Sequence, residues 1–78
     1  MGLIHTRTYI DFPDEQWKQI SANPTIFEAM DDGISLEILD EGGKVHKISF
    51  KKGAQIKFMR VVGKYRLSWA RELAHEES

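Results

Sequence analysis

The sequence predicts a single α+β domain over residues 1–78, in which an N-terminal strand and one or two short helices precede a three- to four-stranded antiparallel meander. Three observations predict this class. Two prolines stand where helices would begin, apolar and polar residues alternate from residue 34 onward, and glycines recur at the spacing of hairpin turns. The meander is expected to form an open sheet or a half-barrel of the SH3-like or OB-like kind.

The first part of the chain predicts the N-terminal strand and the helices. Residues 3–12 alternate two sets of side chains and are rich in β-branched and aromatic residues, as strands are. Pro13 is followed by two carboxylates, a combination typical of the first turn of a helix. Asn23 and Pro24 repeat this arrangement as a cap and a first helical residue, so they predict a second short helix that ends at Gly33.

Alternation with a period of two predicts the strands of the meander. In residues 34–39 every second residue is apolar and shares one face, and three further alternating segments follow. Those segments are residues 44–50, 54–62 and 65–69, with turns at residues 40–43, 51–53 and 63–64. Residues 70–77 are expected to form a short C-terminal helix or to lack regular structure.

Composition places the chain among ordinary globular domains. It is 41% hydrophobic and 29% charged, which is the balance of a folded protein rather than of a disordered tail. No apolar run approaches the roughly 20 residues that a membrane helix needs, and the N-terminus lacks a signal peptide's apolar stretch. We therefore expect a cytoplasmic protein without membrane contact. A chain this short can gain stability by pairing with a second copy, so a homodimer is an alternative to a monomer.

Residues that carry catalysis or hold cofactors are sparse. The chain has no cysteine, which excludes disulfides, cysteine-ligated metals and thiol nucleophiles. His5, His46 and His75 are far apart, and none belongs to a metal-binding or catalytic spacing. The carboxylate pairs at residues 31–32 and 40–41 stand beside glycines, as in turns. We therefore predict no enzymatic activity, no cofactor and no metal, with His46 an ordinary strand residue.

Charge is distributed unevenly along the chain. The net charge is −1, but residues 1–43 hold two basic and nine acidic residues, whereas residues 44–78 hold nine basic and three acidic ones. Such asymmetry between halves points to an anionic partner. The basic residues, which we predict to form the binding site, are Lys44, Lys47, Lys51, Lys52, Lys57, Arg60, Lys64, Arg66 and Arg71.

Strand alternation predicts that much of this charge lies on one face of the sheet. The apolar members of the strands are expected to form the core, and they are Ile48, Phe50, Ile56, Phe58, Leu67 and Trp69. The opposite face then combines cations with polar side chains. These are Lys47, Lys57, Arg66, Ser49, Gln55 and Ser68.

A face of this kind suits a nucleic acid. Lysine and arginine neutralise phosphates and release counterions, while serine and glutamine can hydrogen-bond to the backbone or to base edges. Exposed aromatic rings add stacking on unpaired bases, and the candidates are Tyr9, Tyr65 and Trp69. We therefore predict a small accessory or regulatory protein that binds RNA or single-stranded DNA.

Three other interpretations stay open at this point. The acidic residues Asp14, Glu15 or Glu37 can pair with the basic sheet inside the same fold. The chain can instead be a protein-interaction module, such as a phage- or plasmid-type inhibitor or adaptor, that meets an acidic protein surface or binds through a sheet edge. The acidic half can also imitate a nucleic acid and bind a basic protein.

Two short resemblances bear on the same question. Residues 3–7, residues 52–58 and the sequence from Arg71 resemble segments of the CsrA/RsmA family of RNA-binding regulators. That resemblance implies an interlocked homodimer that binds GGA-bearing messenger RNA through Arg7 and Arg71, although a predicted helical stretch stands where the family has its second strand. Residues 60–65 are equally similar to small archaeal SH3-like chromatin proteins.

Overall fold

A computed structural model of the chain describes residues 6–77. In chain order these residues form β1 (Arg7–Phe12), α1 (Asp14–Ser21), α2 (Pro24–Ala29), a 3-10 turn (Met30–Asp32), β2 (Ser35–Leu39), β3 (Val45–Phe50), β4 (Lys57–Val61), β5 (Lys64–Ala70), a second 3-10 turn (Arg71–Leu73) and β6 (Ala74–Glu77). The α+β class, the N-terminal strand and the two short helices are confirmed. The predicted strand residues 3–5, including His5, lie outside the described range. None of the helices in residues 6–77 is long and apolar enough to cross a membrane.

The strands form two three-stranded antiparallel sheets. Sheet A has the strand order β1-β5-β4, and sheet B has the order β2-β3-β6. Both sheets are open, and the described residues form no closed barrel. The strands predicted after residue 34 are therefore present, but they do not make one meander, because each of the two hairpins belongs to a different sheet.

The segment between β3 and β4 separates the two hairpins. Gly53 and Gln55 both have positive φ, at 79° and 57°, a conformation that turns the chain sharply out of an extended path. The chain therefore leaves sheet B after Phe50 and returns to sheet A, which already holds β1, at Lys57. Alternation predicts which side of a strand is buried, but it does not specify which strands pair.

The predicted core is confirmed and lies between the sheets and the helices. Its members are either buried, as are Ile48, Phe50, Leu67 and Trp69, or partly buried against the core, as are Ile56 and Phe58. β1 adds Phe12, which is fully buried at the point where the strand gives way to α1.

The helices begin as predicted and cover the interior from one side. The Asn23 side chain accepts a hydrogen bond from the Thr25 N–H at 3.2 Å and so caps α2. In α1, the Trp17 ring stacks on the Tyr65 ring at a centroid distance of 4.6 Å. Gln16, also in α1, accepts a hydrogen bond from the Leu39 N–H at 3.0 Å. Helix α1 therefore satisfies one backbone N–H at the free edge of β2.

Two local predictions were wrong. The β4–β5 turn consists of Val62 and Gly63, one residue earlier than predicted, because Lys64 already pairs with Val61 and Gly63 supplies the positive φ of 73°. At the C-terminus, residues 71–73 form only a single 3-10 turn, and residues 74–77 pair with β3 as strand β6. Residues 74–77 hold one apolar residue followed by three polar ones, so they show no alternation that would predict such a strand.

Besides its backbone pairing with β3, strand β6 contacts sheet B through side chains around His46. The His46 Nε2 lies 2.7 Å from Asp40 Oδ2 in the β2–β3 turn, and its Nδ1 contacts the Glu76 carboxylate in β6. These hydrogen bonds, first to Asp40 and then to Glu76, raise the pKa of His46 above its ordinary value of 6.5. The His46 hydrogen bond likewise lowers the pKa of Asp40 below 3.8.

The free energy of unfolding is expected to fall as the pH rises through the pKa of His46. Because the folded pKa of His46 is raised, its contribution is fully present below pH 6.5 and is lost as the pH rises through the folded value. Urea unfolding on both sides of that pH measures the loss. His46→Gln should abolish this pH dependence, while His75→Gln, a change at an exposed residue of β6, should keep it. An unchanged pH dependence in His46→Gln would contradict the assignment.

Candidate nucleic-acid interface

Sheet A has one face toward the core and one face toward solvent. Leu67 and Trp69 of β5 point into the core, so their neighbours in β5 and the residues paired with those neighbours in β1 and β4 point outward. We call this surface the outer face of sheet A. Its residues are Arg7, Tyr9, Asp11, Lys57, Met59, Val61, Lys64, Arg66 and Ser68.

The predicted basic residues are divided among several places. Lys57, Lys64 and Arg66 lie together on the outer face of sheet A. The other six lie elsewhere: Lys47 on the outward side of sheet B, Lys44 in the β2–β3 turn, Lys51 and Lys52 after β3, Arg60 beside α1, and Arg71 in the second 3-10 turn. The predicted single surface is thus split, because its strands belong to two sheets.

Some of the charge is paired inside the fold, as one alternative interpretation expected. Lys47 lies 3.7 Å from Glu37, and Arg60 lies 4.0 Å from Asp14. Exposed pairs of this kind contribute at most about 1 kcal/mol, so they leave these cations available to a stronger anion. Of the nine predicted binding residues, those without an ion pair within residues 6–77 are Lys44, Lys51, Lys52, Lys57 and Arg71.

Tyr9 lies on the outer face in the edge strand β1 and is 56% exposed. The Arg66 guanidinium carbon lies 4.0 Å from the centroid of the Tyr9 ring, which is cation–π contact. Asp11 holds this guanidinium in place by accepting two hydrogen bonds, from Nε at 2.6 Å and from an Nη atom at 3.1 Å. The Arg66 hydrogen bond lowers the pKa of Asp11, and Lys64, 3.3 Å away, acts in the same direction. The Tyr9 ring is therefore supported by an ordered cation.

Arg7 lies on the other side of Tyr9. Its guanidinium donates to the Gln55 carbonyl at 2.7 Å and to the Ser68 Oγ at 3.0 Å, and both acceptors are neutral. The positive charge of Arg7 thus remains uncompensated by these contacts. Ser68 is only 6% exposed, so it cannot donate to a ligand as the sequence predicted. Its cross-strand neighbour Lys57 is exposed.

The three aromatic candidates differ in their orientation. Tyr65 stacks on Trp17 inside the fold, and Trp69 is 4% exposed with its ring 5.4 Å from that of Phe50. Among these candidates, Tyr9 alone presents its ring to solvent. Arg7 lies in the acidic half of the chain, so the charge run did not include it, although the CsrA/RsmA resemblance named it. Residues 7 and 9 are two apart in one strand, so their side chains share a face. This spacing is the sequence signal that places Arg7 beside Tyr9.

The outer face of sheet A carries a net positive charge. Four of its residues are basic (Arg7, Lys57, Lys64 and Arg66) and Asp11 is acidic, while Glu41 from the β2–β3 turn also pairs with Lys64 at 3.3 Å. Within residues 6–77, no three His, Cys, Asp or Glu side chains are arranged to hold a metal ion. The arrangement is suited to binding an extended anion that carries flat groups.

No protein-family model, curated protein or solved structure matches the chain. The two short resemblances noted in the sequence therefore have no support beyond the residues that carry them. What the outer face of sheet A can bind is inferred from its geometry and charge.

Proposed function

We propose that the protein binds single-stranded nucleic acid, RNA or single-stranded DNA, on the outer face of sheet A. The observation that supports this most strongly is Tyr9, an exposed aromatic ring on a three-stranded sheet face with cations on both sides. A phosphate-binding patch alone would need only the cations. An exposed ring backed by an ordered guanidinium adds a surface on which a base can stack.

Each residue has a separate part in this proposal. Arg7 and Lys57, which lie together beside Ser68, neutralise phosphates next to the stacking site, since neither is paired with a carboxylate within the described residues. Tyr9 stacks on one base, and Arg66 supports the ring from the side that it covers. No bond is made or broken, so the protein acts by occupying its target strand.

Stacking also favours a single strand over a duplex. In a duplex the faces of the bases are already covered by their neighbours, so the Tyr9 ring would have to unstack a base pair before it could contribute. In a single strand the bases are free to turn outward. Duplex DNA is therefore expected to bind only through its phosphates, with lower affinity and with little dependence on Tyr9.

Replacing Tyr9 tests this proposal. Fluorescence anisotropy of labelled single-stranded RNA, single-stranded DNA and duplex DNA measures the affinities at two salt concentrations. Tyr9→Ala should weaken single-strand binding about tenfold or more, because stacking contributes about 1–3 kcal/mol per base. Tyr9→Phe keeps the ring and serves as the matched control, with nearly unchanged affinity. No binding of either single strand at low salt, or equal loss in both variants, would contradict the proposal.

A further inference from the structure

The outer edge of β1 has no paired strand among residues 6–77. The Arg71 N–H donates to the Thr6 carbonyl at 2.8 Å, so the even-numbered residues of β1 direct their backbone groups toward β5. The N–H and C=O groups of Arg7, Tyr9 and Asp11 therefore point to the opposite edge. No described residue forms a backbone hydrogen bond with them there.

The gap beside β1 leaves this edge accessible. Strand β1 does not pair with β6, and a cavity of about 330 Å³ lies between the two strands. Thr8 lines it from β1, and Ala74, His75 and Glu76 line it from β6. Strand β6 therefore does not cover the β1 edge.

The other sheet edges carry features that discourage pairing. At the edge of β2 the Leu39 N–H is already bonded to Gln16 of α1, β6 is short and carries Glu76 and Glu77, and β4 carries Lys57 and Arg60. Like charges on a free edge repel a second copy of the same edge. β1 is different, because its outward side chains include one cation and one anion.

The positions of these two charges are complementary to those of a second copy. When two β1 strands pair antiparallel with Tyr9 opposite Tyr9 of the partner subunit, Arg7 lies opposite Asp11 of the partner subunit, and the reverse pair forms by symmetry. The three residues that face each other are those whose backbone groups are free, so each of these pairs can exchange two hydrogen bonds. Pro13 has no N–H and limits the paired edge on one side.

We infer that two copies of the chain associate through β1 in this register. The two sheets A then form one continuous six-stranded sheet with both outer faces on the same side. The two Tyr9 residues lie next to each other at the symmetry axis, with Cα atoms about 5.5 Å apart. This association involves backbone groups and the Arg7 and Asp11 charges, and it does not depend on nucleic-acid binding.

Amide exchange of the unmodified protein tests the inference without nucleic acid. The N–H groups of Arg7, Tyr9 and Asp11 should exchange rapidly in dilute solution and become protected as the concentration rises, in step with doubling of the mass measured by light scattering. A protein that stays monomeric at millimolar concentration would overturn the inference. A dimer that leaves these three amides unprotected would also overturn it, because another surface would then join the copies.

Reversing the charge of Arg7 or of Asp11 tests the register of the two paired β1 strands. Arg7→Asp places Asp opposite Asp in a homodimer, and Asp11→Arg places Arg opposite Arg, so each variant alone should dimerise about tenfold more weakly. A mixture of the two should form a heterodimer with affinity near that of the original homodimer, because every facing pair is again opposite in charge. Failure of the mixture to associate, with both variants folded by circular dichroism, would overturn the register. If Asp11→Arg does not fold, the amide-exchange result decides alone.

Discussion

Replacing Phe12 with alanine is expected to lower the free energy of unfolding by about 3–5 kcal/mol, the usual cost of removing a buried phenyl ring. Phe12 is 0% exposed, and its ring packs 6.4 Å from the Phe58 ring and 6.3 Å from the Tyr65 ring. It thus joins β1 to both other strands of sheet A. Since small domains have total stabilities of about 5–15 kcal/mol, this single change removes a large part of the total.

Urea denaturation followed by circular dichroism measures this effect, and Tyr9→Ala is the matched control. It also replaces an aromatic residue of β1 with alanine, but Tyr9 points to solvent and is 56% exposed. Its loss should cost less than about 1 kcal/mol, mainly the contact with Arg66. Equal destabilisation by the two variants would show that the inner and outer faces of sheet A are wrongly assigned. A stable Tyr9→Ala protein also validates its use in the binding experiment.

Reversing the charge of Lys57 is expected to weaken single-strand binding about tenfold and to flatten its dependence on salt. Lys57 lies on the outer face of sheet A, next to Ser68 and the Arg7 guanidinium that contacts it. Each phosphate contact contributes about 0.7 to the slope of log affinity against log salt on single strands, so Lys57→Glu should reduce the slope by about that amount.

Lys47→Glu is the matched control for this change. Lys47 is also an exposed lysine in a strand, but it lies on the outward side of sheet B. The same charge change there alters the net charge equally, and it should leave the salt slope unchanged. Equal effects of the two reversals would mean that binding follows net charge rather than the outer face of sheet A.

Local sequence signals predicted the elements of this fold but not their arrangement. The alternation of Leu36 and Ile38 with polar residues and the capping side chain of Asn23 are effects of neighbouring residues, and both predictions are confirmed. The assignment of the hairpins to separate sheets depends on the path of the chain near Gly53 and Gln55. Nothing in the alternation of the strands encodes that path. Strand β6 likewise depends on pairing with β3, which is distant from it in sequence.

The candidate site was predictable to a similar extent. The alternation of side chains within each strand predicts that Lys57 and Arg66 lie on the same face, and the structure agrees. Lys47 was assigned to that same face, but it belongs to the other sheet. The parts that the charge run could not supply are Arg7 and the orientation of Tyr9. Both depend on β1 pairing with β5, which joins opposite ends of the chain.

The β1–β5 pairing also constrains when the protein can fold during its synthesis. β1 is made first, yet Phe12 pairs with Tyr65, and Arg7 pairs with Ala70. The β2–β3 hairpin can form from neighbouring residues while translation continues, but β1 has no strand to join until β5 has left the ribosome. Both edges of β1 stay exposed during that interval. A chain stalled before residue 64 lacks sheet A, so ribosome pausing before β5 is made would leave β1 open to nonproductive contacts.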